Sequence, residues 1–248
     1  MPVTEGILTA LAKSASPPDL AALMTDITRE LGFRYYALIH HADLRGAPRG
    51  RVKLLDYPAS VEERIIGNGT WRRDPVLRAC AFSDRAFSWS EISDIIDLNR
   101  RDRDCLDFGG KLGLTEGITV PCNLLGDYTA SCTFAGSDNP KWVGRRLGMA
   151  QMIGIFAFQA ARRLFCEERP KPQPPRLHPR VRDCVILVGR GYSNKEIARA
   201  LSITPRTVGG YLSQAGLLLD AHGRTELVVS AIFAGEIGLG ELARDHSA

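Results

Sequence analysis

The side chains that could do chemistry in this sequence do not form a recognisable catalytic set. His40 and His41 lie near Asp43, and Cys80 lies near Asp74, but neither group has the spacing of a nucleophile, a base and an orienting residue. We therefore predict no catalytic residues. Hydrolysis of a small ligand is the enzymatic hypothesis that these side chains leave open, and it is the least favoured one.

The six cysteines do not indicate a metal site or a disulfide framework. They contain no C-x-x-C pair, and no histidine stands near them at a metal-binding spacing. We expect reduced, mostly buried thiols and no bound metal. The cysteines are Cys80, Cys105, Cys122, Cys132, Cys166 and Cys184.

The composition allows two modest hydrophobic cores and an anionic partner. The chain has 248 residues, 44% hydrophobic and 24% charged, with a net charge of +4. The sequence has no apolar run of about 18 residues and no N-terminal basic stretch followed by an apolar core. We expect a cytoplasmic protein that does not bind a membrane.

A proline-rich segment divides the chain. Residues 167–175 include four prolines between positions 170 and 175, which favour an extended spacer. We predict an N-terminal domain over residues 1–166 and a C-terminal domain over residues 176–248.

The N-terminal domain mixes helical and strand patterns, which predicts an α/β/α sandwich with a ligand cavity against one sheet face. The last helical pattern, over residues 143–166, is broad enough to be either core or a dimer seam. Helices are expected at 19–31 and 143–166, and strands at 34–41, 52–56, 117–122 and 129–135.

The C-terminal domain shows successive helix starts. Pro179 suits the first position of a helix, and Gly191 suits its end. Ser193 and Glu196 form a capping box, and Thr204 followed by Pro205 starts the next helix. Two short helices joined in this way predict a helix-turn-helix within a small all-α, four-helix domain.

The segment from 177 to 239 resembles the LuxR-type DNA-binding domain, through G-x-S-N-K-E-I-A at 191–198, S-I-T-P-R-T-V at 202–208 and R-T-E-L at 224–227. The resemblance implies double-stranded DNA, at a palindromic promoter site, as a partner. The second helix of the motif enters the major groove by its N-terminal residues. The predicted DNA-binding residues are Lys195, Thr204, Arg206, Thr207, Gly210 and Tyr211.

The recognition helix departs from that family's usual pattern. Leu217 and Leu218 stand where lysine or arginine is usual, and Val181 replaces a glutamate in the first helix. The consecutive glycines Gly209 and Gly210 each cost a helix about 1 kcal/mol relative to alanine. These departures motivate a second hypothesis, in which the chain no longer reads DNA and acts by pairing with a related regulator.

Residues 17–166 resemble the autoinducer-binding domain of the LuxR quorum-sensing family. The resemblance rests on Tyr57-Pro58, Asp74-Pro75-Val76, Trp89 and the segment 117–121. It implies that Asp74 accepts from a ligand amide N–H, that Tyr57 donates to the acyl carbonyl, that Trp89 walls the lactone end, and that Thr133 lies near the amide. A buried amide needs both of its polar groups paired.

The lactone end of this site departs from the family pattern. Val61 replaces the tryptophan that donates to the lactone carbonyl, and Ile65 replaces an aromatic residue. Loss of that donor should weaken the binding free energy of a lactone by about 1 to 3 kcal/mol if the lactone carbonyl is buried and unpaired. Trp71 could fill the space or be structural, and the sequence does not decide between these roles.

We therefore expect a homodimeric, signal-responsive transcription regulator with no cofactor other than a possible acyl-homoserine lactone or related amide. Pairing of two half-sites would supply the affinity that one small helix-turn-helix lacks. A further hypothesis is a regulator that binds DNA but no ligand, in which apolar side chains fill the cavity.

Overall fold

The computed structural model describes residues 2–44, 50–67, 69–137, 139–166 and 177–243, and the chain forms two compact units, Met1–Glu168 and Arg169–Ala248. The predicted linker, 167–175, lies outside the described residues. No helix in the described ranges is long and apolar enough to cross a membrane.

The first unit is built on a five-stranded antiparallel sheet in the order β2-β1-β5-β4-β3. The four predicted strands are present, each within about two residues of its expected ends, and a short fifth strand joins the edge. The strands are β1 (Tyr35–His40), β2 (Lys53–Leu55), β3 (Phe87–Ser88), β4 (Gly117–Pro121) and β5 (Ala130–Ala135).

The helices of the first unit lie on both faces of this sheet, which confirms the predicted α/β/α sandwich. Seven in the described part of this unit are α-helices: α1 (Pro2–Lys13), α2 (Pro17–Glu30), α3 (Ala59–Glu62), α4 (Pro75–Ala79), α5 (Ile92–Ile95), α6 (Arg100–Lys111) and α7 (Pro140–Phe165). A π-helical turn (Glu63–Gly67) and two 3-10 helices (Thr70–Arg73 and Trp89–Glu91) accompany the short ones.

The first face of the sheet carries the main hydrophobic core. Because side chains alternate along a strand, Leu38, Val120 and Phe134 point to this face, where α1, α2 and α7 cover them. Helix α7 approaches most closely at Gly154, where a Cβ atom would lie 2.8 Å from Val120. This helix begins three residues before its predicted start, because Asn139 caps it through a hydrogen bond from the Lys141 N–H and Pro140 occupies its first position.

The second face of the sheet is covered by short helices instead. Leu77 of α4 packs on Ala37 and Ile39, and Phe108 of α6 packs near Ala135. Several of these helices have strong local starts: Asp74 caps α4, and Asn99 forms a capping box with Asp102 at the start of α6. The short helices therefore hold a second, separate layer of contacts against the sheet.

The second unit contains four α-helices and one 3-10 turn in its described part, as the sequence predicted. They are α8 (Pro179–Gly189), α9 (Asn194–Leu201), α10 (Pro205–Leu219), α11 (Arg224–Phe233) and the 3-10 helix Leu239–Leu242. The predicted capping box at Ser193 and Glu196 is formed, and the Thr204 side chain accepts from the Thr207 N–H at 3.1 Å. Val185, Ala215 and Ala231 form the centre of its core.

The two central glycines of α10 differ from a third glycine near its end. A Cβ atom added at Gly209 or Gly210 would meet no atom within 4 Å, whereas one added at Gly216 would lie 2.8 Å from the Ala221 carbonyl oxygen. The first two therefore weaken the helix with no compensating contact, and the third permits a close backbone approach.

Gly210→Ala should stabilise α10 by about 0.5–1 kcal/mol, because alanine loses less backbone entropy and meets no clash here. Hydrogen–deuterium exchange of α10 amides in the full chain should slow by roughly two- to fivefold. Gly216→Ala is the matched control in the same helix, and it should accelerate exchange. Equal effects from the two substitutions would contradict this account.

Candidate functional site

A chain of hydrogen bonds crosses the second face of the sheet. Thr119 on β4 and Thr133 on β5 are direct cross-strand partners, and their hydroxyl oxygens lie 3.1 Å apart. The indole N–H of Trp89 donates to Thr119 Oγ1 at 3.0 Å. The phenol of Tyr57 lies near the other end of this chain, because the Thr133 side chain acts to lower its pKa. These four polar side chains from separate segments form a row across the face, here called the sheet-face row: Tyr57, Thr133, Thr119 and Trp89.

Trp89 is held in place by its backbone and by a glycine. The carboxylate of Glu116 accepts from the N–H groups of Trp89 at 2.9 Å and of Gly117 at 3.0 Å. A Cβ atom at Gly117 would lie 2.8 Å from the indole ring, so only glycine lets the ring lie this close to β4. The ring position at one end of the row is therefore fixed.

Asp74 has a structural role that uses one of its two carboxyl oxygens. Its Oδ1 caps α4 by accepting from the N–H groups of Val76 at 2.9 Å and Leu77 at 3.1 Å. Its Oδ2 lies 3.9 Å from the sulfur of Cys105. Burial raises the pKa of the Asp74 carboxyl, so the protein interior disfavours its charged form.

Tyr57 connects Asp74 to the sheet. Burial, followed by the nearby charge of Asp74, raises the pKa of the Tyr57 phenol, so its hydroxyl keeps its proton. The Tyr57 ring packs in two hydrophobic clusters, one around Ile39 and Leu77 and the other around Val61 and Leu114. A protonated phenol in this position can donate one hydrogen bond and accept another.

The structure brings most of the predicted ligand-binding residues to this face. Trp71 packs with Tyr57 in the first cluster, and Val61 is buried in the second cluster with Trp89. Trp71 therefore packs in a different cluster from Val61. The side chain of Ile65 lies outside the part of the chain that the structure describes.

Sequence reasoning did not single out Thr119, Glu116 or Cys105. Strand alternation could have indicated Thr119, because it stands two residues after Gly117 and so shares its face. Glu116 precedes β4 directly, but its bonds to Trp89 depend on packing of a distant segment, as does the position of Cys105 beside Asp74.

The two adjacent histidines face opposite sides of the sheet. His40 lies 3.3 Å from Asp127 against the α7 side of the sheet, whereas His41 bonds to Ser131 at 2.9 Å on the other face. Burial lowers the pKa of His41 to about 4. Burial also raises the pKa of the Cys80 thiol, which lowers its nucleophilicity. Within the described ranges, no three His, Cys, Asp or Glu side chains are grouped to hold a metal ion.

The second unit presents one polar face of α10 to solvent. Arg206 and Thr204 are exposed at its start, and Lys195 is exposed at the start of α9. Tyr211 is half-buried and packs in both clusters of the unit, so much of its side chain serves the core. Leu217 is 88% exposed, although it is apolar.

Further along α10, Gly210, Ser213 and Gln214 share the exposed face with Arg206. Ser213 and Gln214 were not among the predicted DNA-binding residues, although helical spacing from Arg206 places them there. A helix with this face and a capped, exposed N-terminus can enter a major groove.

Comparisons with known proteins agree with both halves of this description. Residues 16–163 match the autoinducer-binding domain family, and residues 176–231 match the family described as bacterial regulatory proteins, luxR family. The chain is 31% identical over 180 residues to the transcriptional activator protein BjaR1 of Bradyrhizobium diazoefficiens, covering 71% of this chain and 72% of that protein.

Two further comparisons extend over most of the chain. A putative HTH-type transcriptional regulator, y4qH of Sinorhizobium fredii, is 24% identical over 230 residues, covering 91% of this chain and 70% of that protein. The crystal structure of Escherichia coli SdiA has a TM-score of 0.55 at 18% identity, covering 97% of this chain and 98% of SdiA.

At that low identity the SdiA likeness shows a shared fold alone. The family matches and the similarity to BjaR1 go further, because together they cover both units and the motifs in each. The chain therefore belongs to the LuxR family of bacterial transcription regulators, with an autoinducer-binding domain followed by a DNA-binding helix-turn-helix domain.

Proposed function

We propose that the chain is a signal-responsive regulator whose first unit binds an amide-bearing small molecule between the sheet and the short helices. The sheet-face row carries this proposal. It places four side chains with hydrogen-bonding groups in line on this face, beside the buried carboxyl of Asp74. Hydroxyl groups can each donate one bond and accept others, so the row has bonding capacity beyond its internal bonds that a ligand amide could use.

The chemistry of the row fits a secondary amide. Asp74 Oδ2 can accept from the amide N–H, because the capping bonds use Oδ1. The Tyr57 hydroxyl can donate to the carbonyl, with Thr133 as its neighbour in the row. Satisfying both groups avoids the penalty of an unpaired buried amide, about 1–3 kcal/mol for each group.

The other end of the signal meets a different surface from the one usual in the family. Val61 has no hydrogen-bond donor in its side chain, and Trp71 packs in the cluster that does not contain Val61. Tyr57 belongs to both clusters and contacts each, and we infer from this arrangement that Trp71 does not replace the missing indole donor. We infer that the signal's head group is not an ordinary lactone paired through its carbonyl.

We further propose that the chain acts in the cytoplasm as a homodimer on a palindromic promoter site. Residues 1–166 would form the sensor, residues 167–175 the linker and residues 176–248 the DNA-binding domain. Arg206, Thr207 and the α10 face would read the groove, while Lys195 would contact phosphate. Two linked half-sites would compensate for the few basic residues on each recognition helix.

Asp74→Asn should remove ligand sensing while keeping the fold. Asparagine retains an oxygen that can cap α4, but an NH2 group replaces the second carboxyl oxygen. This group is a donor and cannot accept a hydrogen bond from the ligand amide N–H. For the unaltered chain, a bound ligand at about 100 times its Kd should raise the Tm by roughly 5–10 °C. Thermal unfolding with acyl- and aryl-homoserine lactones and related amides measures this.

The Asp74→Asn chain should show little of that rise in Tm with ligand. Without ligand, its Tm should be nearly the same as that of the unaltered chain. Asp94→Asn, at an exposed position on α5, is the matched control and should respond like the unaltered chain. A full ligand response in the Asp74→Asn chain would remove Asp74 from the proposed site.

Arg206→Gln should weaken DNA binding and reduce its salt dependence, because one cationic contact is lost. If Arg206 contacts phosphate, the slope of log K against log salt should fall by about one; if it contacts a base, affinity should fall by about 1–3 kcal/mol. The probe is a duplex selected from a random library by the unaltered chain, and binding is measured by fluorescence anisotropy.

Arg180→Gln, at an exposed position on α8 outside the two-helix motif, is the control and should leave binding nearly unchanged. The unaltered chain could select no duplex and show no salt-dependent binding to DNA. That result would mean that the chain does not read DNA, and it would support the partner-pairing hypothesis.

A further inference from the structure

A cavity of about 510 Å³ lies beside Asp74, and its wall is rich in arginine. The volume is within the range of small-molecule sites, roughly 300–1,000 Å³. Five arginines from four neighbouring elements line it: Arg64 of the π-helical turn, Arg72 and Arg73 of the following 3-10 helix, Arg78 of α4 and Arg101 of α6.

The cavity has an excess of positive charge. Its lining includes five arginines and two aspartates, Asp74 and Asp102, which leaves three positive charges when both carboxyls are ionised and more when Asp74 is protonated. Arg78 is already engaged, because its guanidinium lies 2.8 Å from Asp102. The excess therefore belongs to the other arginines.

Two of these arginines are positioned by aromatic rings. The guanidinium of Arg64 lies 4.0 Å from the centre of the Phe108 ring, and that of Arg72 lies 4.9 Å from the Trp71 ring. Stacking fixes the plane of each guanidinium. Guanidinium groups in general suit a planar anion that accepts two parallel hydrogen bonds.

The remaining two arginines, Arg73 and Arg101, are exposed to solvent at the cavity. Within the described ranges, no carboxylate lies within 4 Å of Arg73 or Arg101. Like charges gathered in this way repel each other, and an anion in the cavity would relieve that repulsion.

Asp74 joins this cavity to the sheet-face row. Its carboxyl lines the cavity and also interacts electrostatically with Tyr57. A ligand whose amide is held by Asp74 and Tyr57 therefore has its head group within reach of the arginines. Val61 itself, where the family usually has an indole donor, offers that head group no hydrogen bond.

We propose that the arginine cavity binds a carboxylate on the head group of the signal, so that the preferred ligand is an N-acyl amino acid rather than the neutral lactone. This inference rests on the proposed amide-binding function. A carboxylate fits better than a phosphate dianion because the Asp74 carboxyl forms part of the same wall. Bidentate pairing with guanidinium groups would provide both orientation and charge selectivity.

A matched ligand pair tests the proposal. N-acyl-homoserine lactones and their ring-opened N-acyl-homoserines share the acyl chain and the amide, and differ in whether the head group is a lactone or a carboxylate. Titration calorimetry of the full chain with both series should give at least tenfold tighter binding of the acids. Affinity for the acids should also fall as sodium chloride is raised.

The double variant Arg73→Gln/Arg101→Gln should lose at least tenfold in affinity for the acid and change affinity for any lactone by less than about twofold. Arg103→Gln is the matched control, because Arg103 is exposed on α6 but does not line the cavity. It should leave both affinities unchanged.

The outcomes separate this inference from the function on which it rests. Tighter binding of the lactones, abolished by Asp74→Asn, would overturn the carboxylate inference and keep the amide site. No binding in either series would overturn both. Inorganic phosphate serves as a separate probe: binding of phosphate that needs Arg73 and Arg101, without binding of the acids, would show an inorganic anion site and overturn the proposal.

Discussion

Thr119 and Thr133 stand opposite each other on adjacent antiparallel strands, and the organisation of the first unit depends on this register. Because strand side chains alternate, the register directs Val120 and Phe134 to the large core under α7 and directs the two threonines to the opposite face. A slip of one residue would exchange these faces. The hydroxyls would then be buried under α7, and apolar side chains would occupy the sheet-face row.

Asp74 couples the stability of the short-helix layer to the chemistry of the site. One carboxyl oxygen starts α4, which carries Leu77 onto the sheet, while the other remains beside Cys105 and the arginine cavity. A carboxyl used only for capping would gain nothing from burial, since burial disfavours its charge. Under the proposed amide-binding role, its place between the cavity and Tyr57 would give a functional reason for that cost.

The second unit relies on local signals to a greater extent than the first. Ser193 and Thr204 satisfy the exposed N–H groups at the starts of α9 and α10, and the left-handed Ser202 forms the tight break between them. Within α10, however, Gly209 and Gly210 reduce helix stability at the face that would meet DNA. The exposed Leu217 leaves the end of this face without charge, so Arg206 is its principal cation.

The sequence alone determined the elements whose causes are local. Caps, proline positions and alternating apolar residues predicted the main strands, the long helix α7 and the four helices of the second unit, because these features act within a few residues. Motif spacing identified the family and placed Tyr57, Asp74, Trp89 and Thr133 together as candidates. The roles of these residues, and the domain limits, remain predictions.

The way in which distant segments meet depends on packing and is visible only in the folded chain. Packing puts Trp71 in a different cluster from Val61, brings Trp89 and Tyr57 to the two paired threonines, and gathers arginines from four elements around one cavity. These contacts depend on the sheet register and on how the short helices dock against it. Neither is encoded in a local pattern, since both result from the packing of side chains far apart in the chain.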